Sequence, residues 1–139
     1  MDANMKRSII LDNYQEPKNR GIPVDDGYVK INSNSVSCID NIDIYVKLSG
    51  DVIEDIKYEG EACVIAISST SILSELLKGK TLVQAKIIID NYFKMIEEKD
   101  YDEDLLGEAV VYSDIYKQAA RKTCATLFIR GMEKIVDNK

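Results

Sequence analysis

Apolar and polar residues alternate most strictly over residues 41–48, where Ile42, Ile44, Val46 and Leu48 interleave with Asn41, Asp43, Tyr45 and Lys47. A period of two predicts a strand with one buried face. Ser49-Gly50-Asp51 supplies a turn, and residues 52–58 (VIEDIKY) return as its hairpin partner. Upstream, DDGYVKINSN (25–34) reads as a shorter strand with a polar end. Elsewhere the period is helical. Residues 5–15 carry Ile9, Ile10 and Tyr14 at helical spacing. Pro17 ends that helix, because the residue before a proline is pushed out of the helical region, and EPKNRGIP reads as a loop. Gly60 breaks the sheet, and residues 63–78 (CVIAISSTSILSELLK) form a helix rich in small residues, stopped by Gly79. A second helix begins at Thr81, where Thr81 and Gln84 make a capping-box pattern, and Ile87, Ile88, Tyr92 and Ile96 form its buried stripe. The acidic stretch 97–107 (EEKDYDEDLLG) reads as a surface excursion. A last helix is expected from about Ser113 to Val136, with Ala120, Cys124, Leu127, Phe128 and Ile135 along one face.

Helix, strands, then helices indicate an α+β fold: a small antiparallel sheet with helices packed on one face. At 139 residues the chain fits a single domain spanning 1–139, and 45% hydrophobic residues suffice for a core without disulfide staples. Eighteen basic and 24 acidic residues leave a net charge of −6, which repels phosphate backbones and disfavours nucleic-acid binding. No apolar run is long enough to span a bilayer, so no membrane association is expected. The opening MDANMKRSII has neither an apolar signal core nor a cleavage site, so a cytoplasmic location is expected.

Chemistry concentrates in three cysteines, Cys38, Cys63 and Cys124, and in Asp40, two residues after the first. There is no histidine, so Ser-His and Cys-His catalytic pairs lack their base. An odd number of thiols in a reducing compartment argues against a disulfide framework. Three thiolates and one carboxylate can surround one soft or borderline metal ion, or hold and pass on sulfur. Cys38 and Asp40 share the strand parity of Ile42 and Ile44, so both should point toward the face under the helices. Cys63 falls at a predicted helix N-terminus, where free N–H groups favour a thiolate. Cys124 falls on the apolar face of the last helix with Arg121 nearly one turn before it, placed to lower the Cys124 pKa or to offset negative charge. Separations of 25 and 61 residues, without a CxxC pair, do not choose between this convergence and three small buried apolar residues. The run Ser68-Ser69-Thr70-Ser71 fits close helix packing better than hydroxyl nucleophiles.

The surroundings of the cysteines add to this. ILDNYQEPKNRG resembles the segment hydrophobic-x-x-His-Tyr-x-x-Pro-x-Asn-x-Gly of the IscU/SufU/NifU-N family of iron–sulfur cluster assembly proteins. IEDIKYEGEACVIAISSTSILSELLKGKT is similar to that family's I-x-D-x-x-F-x-G-x-G-C-x-I-x-x-A-S-x-S stretch and its closing G-K-T, and RKTCATLFIRG resembles its R-x-x-C-A-x-L. All three cysteines fall on family cysteines, and Asp40 on the family aspartate. IscU-type members carry a histidine before the last cysteine and a Leu-Pro-Pro-Val-Lys motif; here Thr123 precedes Cys124 and the motif is absent. The 61-residue interval from Cys63 to Cys124 is similar to the one in SufU-type members, which carry an insertion that residues 97–112 would occupy. Two departures stand out: Ile39 replaces the glycine of Asn-Pro-x-Cys-Gly-Asp, and Asn13 stands where many relatives have histidine.

The SufU-type resemblance implies a SufE/NifU-like fold with a three-stranded sheet. It also implies Zn2+ on Cys38, Asp40, Cys63 and Cys124, and a cysteine desulfurase as partner, with Cys38 as the acceptor of persulfide sulfur. The family equally implies a non-enzymatic scaffold that builds a [2Fe–2S] cluster, or holds iron, on Cys38, Cys63 and Cys124 and passes it to apo iron–sulfur proteins or downstream assembly factors. A metal-free binding module on the same fold is the third expectation. The EPKNRG loop and residues 97–112 are expected to be exposed and open to partners.

Overall fold

The structure, a computed structural model, describes residues 2–35 and 39–137. The alternation over residues 41–48 becomes β2 (Asn41–Ser49), the centre of a three-stranded antiparallel sheet of order β1-β2-β3 with β1 (Tyr28–Asn34) and β3 (Val52–Glu61). Ile42, Ile44 and Val46 of β2 and Ile53, Ile56 and Tyr58 of β3 are all buried on one face. A register shift between Lys47 and Leu48 breaks the strict alternation, and Leu48 is only half-buried. The other face carries charged pairs such as Lys30–Asp43 at 3.8 Å and Lys47–Glu54 at 3.7 Å, which add little at that exposure.

Helices cover the apolar face. Helix α2 (Val64–Leu77) lies against β3, and α5 (Leu127–Val136) lies over β1 and β2. Gly131 allows α5 its close approach: a Cβ there would fall 2.6 Å from Ile44 Cδ1 and 3.2 Å from Ser33 Cβ. Helix α1 (Ala3–Gln15) packs on α2, and α3 (Leu82–Ile96) on α5. The α1–α2 seam is polar yet satisfied. Ser71 donates to Asn13 Oδ1 at 2.7 Å and accepts from the Lys18 N–H at 2.8 Å, while Asn19 Nδ2 donates to Ser74 Oγ at 3.0 Å. Asn13, buried, also donates to the Ile9 carbonyl at 2.9 Å, so it is a structural member of this seam. These small hydroxyl residues let the helices approach closely, as their composition predicts.

The capping box at Thr81 forms in both directions, with Thr81 N–H to Gln84 Oε1 at 3.0 Å and Gln84 N–H to Thr81 Oγ1 at 3.1 Å. Three departures from the sequence pattern follow. Ile87 is 47% exposed, because the inward stripe of α3 runs through Ala85, Ile88, Ile89, Tyr92, Met95 and Ile96, and residue 87 lies one helical step (about 100°) away. Residues 97–112 are not one exposed excursion: Leu106, Ala109, Val111 and Tyr112 enter the core from short 3-10 turns (Glu103–Leu105 and Gly107–Tyr112). Such turns have no amphipathic α period, so the pattern conceals their burial. The long final helix is divided: a 3-10 turn at Ile115–Lys117, then α4 (Ala119–Ala125), a break at Thr126, then α5. The break also leaves Ala120 exposed, outside the face shared by Leu127, Phe128 and Ile135.

Candidate metal centre

Asp40 immediately precedes β2 and, as its parity with Ile42 and Ile44 predicts, points inward, with 1% of its surface exposed. Its backbone carbonyl accepts from the Ser35 N–H at 3.0 Å, which joins the two ends of the β1–β2 connection. The carboxylate is held as well. Asp40 Oδ1 accepts from the Cys63 N–H at 2.8 Å, and the Cys63 thiol donates to Oδ2 at 3.6 Å. Cys63 is the N-cap of α2, with extended backbone and its Sγ accepting from the Ala66 N–H at 3.4 Å. Gly60 does not end the sheet: it pairs with Ile42, β3 runs on to Glu61, and α2 begins three residues later at Val64, which leaves Cys63 as the N-cap.

Cys124 arrives from the other end of the chain on α4. The ligand atoms of Asp40, Cys63 and Cys124 all lie within 4.8 Å of one another, and among the described residues this is the one group of cysteine and acidic side chains gathered closely enough to hold a metal ion. Both cysteines are half-buried and unpaired by any disulfide. Cys38 lies outside the described residues; Asp40 follows it by two positions.

The donor set fits a borderline ion. Ligands about 2.0–2.3 Å from a tetrahedral zinc stand about 3.3–3.8 Å from one another. The 3.6 Å between Cys63 Sγ and Asp40 Oδ2 already falls in that range. Three side chains on three separate elements leave a tetrahedral ion one position short, which a further ligand must supply.

Burial pushes the Cys124 thiol well up, reinforced by hydrogen bonding to Cys63 and Asp40 and by electrostatic repulsion from their side chains. That direction is opposite to the one Arg121 was expected to impose. Arg121 is exposed on α4, and its guanidinium makes no hydrogen bond or ion pair among the described residues. Without a cation, then, the three groups disfavour Cys124 as a thiolate; a bound cation reverses that balance.

Several contacts around the centre involve residues outside the sequence-predicted site. Tyr92 donates to the Ala125 carbonyl at 2.8 Å, and Arg130 Nη2 donates to the Thr123 carbonyl at 2.9 Å. The carbonyls on both sides of Cys124 are therefore held by distant side chains. Beneath the start of α2, the hydroxyls of Ser68 and Tyr112 pair at 2.5 Å in the core. The Tyr92 contact spans 33 residues, beyond any local pattern; Arg130, by contrast, is seven residues from Thr123, a two-turn helical spacing that marks it as a candidate.

Comparison with known proteins gives similarity over most of the chain. Residues 5–125 match the family model described as NifU-like N terminal domain. Over 129 residues the chain is 35% identical to the zinc-dependent sulfurtransferase SufU of Bacillus subtilis (strain 168), covering 92% of this chain and 86% of that protein. It is 33% identical over 123 residues to the iron–sulfur cluster assembly scaffold protein IscU of Thermotoga maritima, covering 88% and 86%. A solved structure of a putative iron–sulfur cluster assembly scaffold protein for the SUF system, from thermophilic Fervidobacterium islandicum AW-1, superposes with a TM-score of 0.84 at 30% identity, over 91% of this chain and 92% of that one.

Proposed function

The chain belongs to the NifU-like N terminal domain family of iron–sulfur cluster assembly proteins, and from that premise we propose that it is a sulfur acceptor whose metal centre comprises Cys38, Asp40, Cys63 and Cys124. The observation that carries this reading is the meeting of Asp40, Cys63 and Cys124 within 4.8 Å, from three elements and across 84 residues of chain. Similarity over most of the chain to a protein named as a zinc-dependent sulfurtransferase supports zinc as the ion. A bound zinc ion supplies the positive charge that holds cysteine sulfur as thiolate near neutral pH.

The residues then divide the work. Cys63 and Asp40 form the fixed side, tied together by the Cys63 N–H···Oδ1 bond. Cys124 closes the set from α4. Cys38, on the connection between β1 and β2, is the residue that leaves the set and reacts. Its thiolate attacks the outer sulfur of a perthiol on a cysteine desulfurase. One S–S bond forms on Cys38, the S–S bond of the donor breaks, and the donor departs as a thiolate, with the transferred sulfur keeping its proton. No outside oxidant or reductant enters the exchange. Loaded Cys38 then serves apo iron–sulfur proteins or the factors that build their clusters. Among the described residues no helix is long and apolar enough to cross a membrane.

Single-turnover transfer of labelled sulfur tests the assignment. Label should appear on the wild-type chain and be absent from Cys38→Ser, while Cys63→Ala should lose metal. Full transfer to Cys38→Ser removes Cys38 from its role. Similarity to a protein named as an assembly scaffold favours a second reading, in which the same cysteines carry a [2Fe–2S] cluster as cargo. Anaerobic reconstitution separates the two: a stable visible chromophore that passes to an apo-acceptor supports the scaffold, and tight zinc without a chromophore supports the relay.

A further inference from the structure

We propose that Arg130 is a positioning residue for the metal centre: its guanidinium bridges the break between α4 and α5 and so sets where Cys124 presents its sulfur. This inference rests on the reading of Asp40, Cys63 and Cys124 as metal ligands. Helix α4 ends at Ala125, one residue after Cys124, and α5 begins at Leu127. Thr126 lies between them with φ −106° and ψ 5°, outside both helices. In an unbroken helix the Thr123 carbonyl would accept from the Leu127 N–H. Here it accepts from Arg130 Nη2 at 2.9 Å, with a longer contact from Thr126 Oγ1 at 3.4 Å. The same guanidinium donates through Nε to Thr126 Oγ1 at 3.3 Å, and the Arg130 N–H donates to the Thr126 carbonyl at 2.9 Å. One side chain thus grips both sides of the break.

The break serves a geometric need. Helix α5 must lie on the sheet, where Leu127, Phe128, Ile129 and Met132 are fully buried. Helix α4 must instead bring Cys124 to Asp40 and Cys63. Continuing one helix through Thr126 would tie the direction of the thiol to the packing of α5. The break uncouples them, and something must then fix the angle. Tyr92 holds the Ala125 carbonyl from the core at 2.8 Å, and Arg130 holds the Thr123 carbonyl at 2.9 Å from the open cleft. Cys124 lies between these two anchored peptides.

The two anchors differ in what their loss would do. Ala125 is buried, so its carbonyl has no recourse to water. Arg130 and Thr123 line an open cleft with Phe93, Ile96 and Lys122, where water can replace the guanidinium as donor to Thr123. Removing Arg130 therefore costs little folding free energy, while the angle of α4 loses its constraint. A flat fork with two spaced donors suits this bridge; lysine supplies one donor point and can hold only one side.

Cobalt(II), a spectroscopic probe of thiolate sites, tests the assignment in the full chain. Wild type, Arg130→Ala, Arg130→Lys and Thr126→Val are titrated with Co2+, zinc affinity is measured by chelator competition, and thermal midpoints are recorded without metal. Arg130→Ala should bind zinc about tenfold more weakly, the lower end of the usual effect of outer-shell groups. At saturation its sulfur-to-cobalt charge-transfer band should be weaker, with the metal-free midpoint nearly unchanged. Arg130→Lys should recover part of both, and Thr126→Val should lose part of both. Wild-type affinity and band shape in Arg130→Ala overturn the proposal, as does a loss of affinity matched by lost metal-free stability with an unaltered band. If Arg130→Ala does not fold, wild-type behaviour of both other variants overturns it. If the wild type binds no metal, the metal reading fails and the proposal with it; if the wild type binds and Cys63→Ala does not, the metal reading stands whatever Arg130 does.

Discussion

Asp40 and Cys63 reach the centre from the rigid end of the sheet, whereas Cys124 arrives on a seven-residue helix that stops one residue later. On the first side the ligands hold each other: the Cys63 N–H donates directly to Asp40 Oδ1 at 2.8 Å, and β2 and β3 flank the contact. On the second side the Cys124 thiol also reaches the Ala120 carbonyl of its own helix at 3.8 Å, and its backbone placement depends on side chains that grip its neighbours. The sheet side is preorganised by strand pairing and a direct hydrogen bond between two ligands, the helix side by contacts to the residues that flank its ligand. A ligand set built this way keeps part of its geometry when one member leaves, which is what the proposed release of Cys38 requires.

The sheet side breaks most severely at Gly60. Its φ is +145°, and a Cβ there would fall 2.2 Å from the Asn41 carbonyl oxygen and 2.8 Å from Ile42 Cα, both backbone atoms that cannot move aside. Gly60→Ala should cost about 3 kcal/mol or more, combining backbone strain with separation of β2 from β3 beside Asp40. Urea unfolding measures the loss. A variant within 1 kcal/mol of wild type would mean that this end of the sheet is not the rigid platform described.

Next in size is Asp40 itself, where charge and hydrogen bonding can be separated. Asp40→Ala leaves the Cys63 N–H without its acceptor and should cost about 1–3 kcal/mol of metal-free stability. Asp40→Asn keeps an oxygen for that N–H and should retain most of the stability while still weakening zinc binding, because the anionic ligand is gone. Equal metal-free stabilities for the Ala and Asn variants would show that the carboxylate does not brace the sheet side.

These two positions were also the more legible ones. Asp40 shares the parity of Ile42 and Ile44, so a period of two suffices to aim it inward, and the glycine at 60 with the run beginning at Cys63 locates a helix N-terminus. The helix side was less readable for a physical reason. Residues on both sides of Thr126 keep a helical pattern, and neither glycine nor proline marks the break. The break is instead accompanied by contacts from far along the chain: Ser33 donates to the Leu127 carbonyl at 2.6 Å, and Tyr92 to that of Ala125. Burial of Leu106, Ala109 and Val111 was concealed because short 3-10 turns carry no amphipathic period, and Ile87 was misplaced by one step because α3 has apolar residues at 87, 88 and 89 and only neighbours decide which two turn inward.

Tyr92→Phe probes the helix side without touching a ligand. The hydroxyl is fully buried, and its loss leaves the Ala125 carbonyl unpaired at about 1–2 kcal/mol. Zinc affinity should fall together with stability, in contrast to Arg130→Ala, where affinity falls with stability nearly preserved. Loss of stability with unchanged affinity in Tyr92→Phe would place the orientation of Cys124 under the control of Arg130 alone.

The smallest effect is expected at Tyr58, on the sheet side but away from the ligands. Its ring is buried on β3, and its hydroxyl has no hydrogen-bond partner among the described residues. Ser71 is near enough to act on the phenol, but its hydroxyl already donates to Asn13 and accepts from the Lys18 N–H. Burial pushes the Tyr58 hydroxyl upward, so it stays protonated throughout the neutral range. A buried hydroxyl without a full partner opposes folding, and its removal leaves the packed ring in place. Tyr58→Phe should therefore leave stability unchanged or raise it by up to about 1 kcal/mol, with zinc affinity at the wild-type value. A loss beyond 1 kcal/mol in urea unfolding would mean that Ser71 does accept or donate to Tyr58 in solution. The polar seam under α2 would then reach into β3, and the sheet side would owe its rigidity to more side-chain hydrogen bonds than the Asp40–Cys63 contact alone.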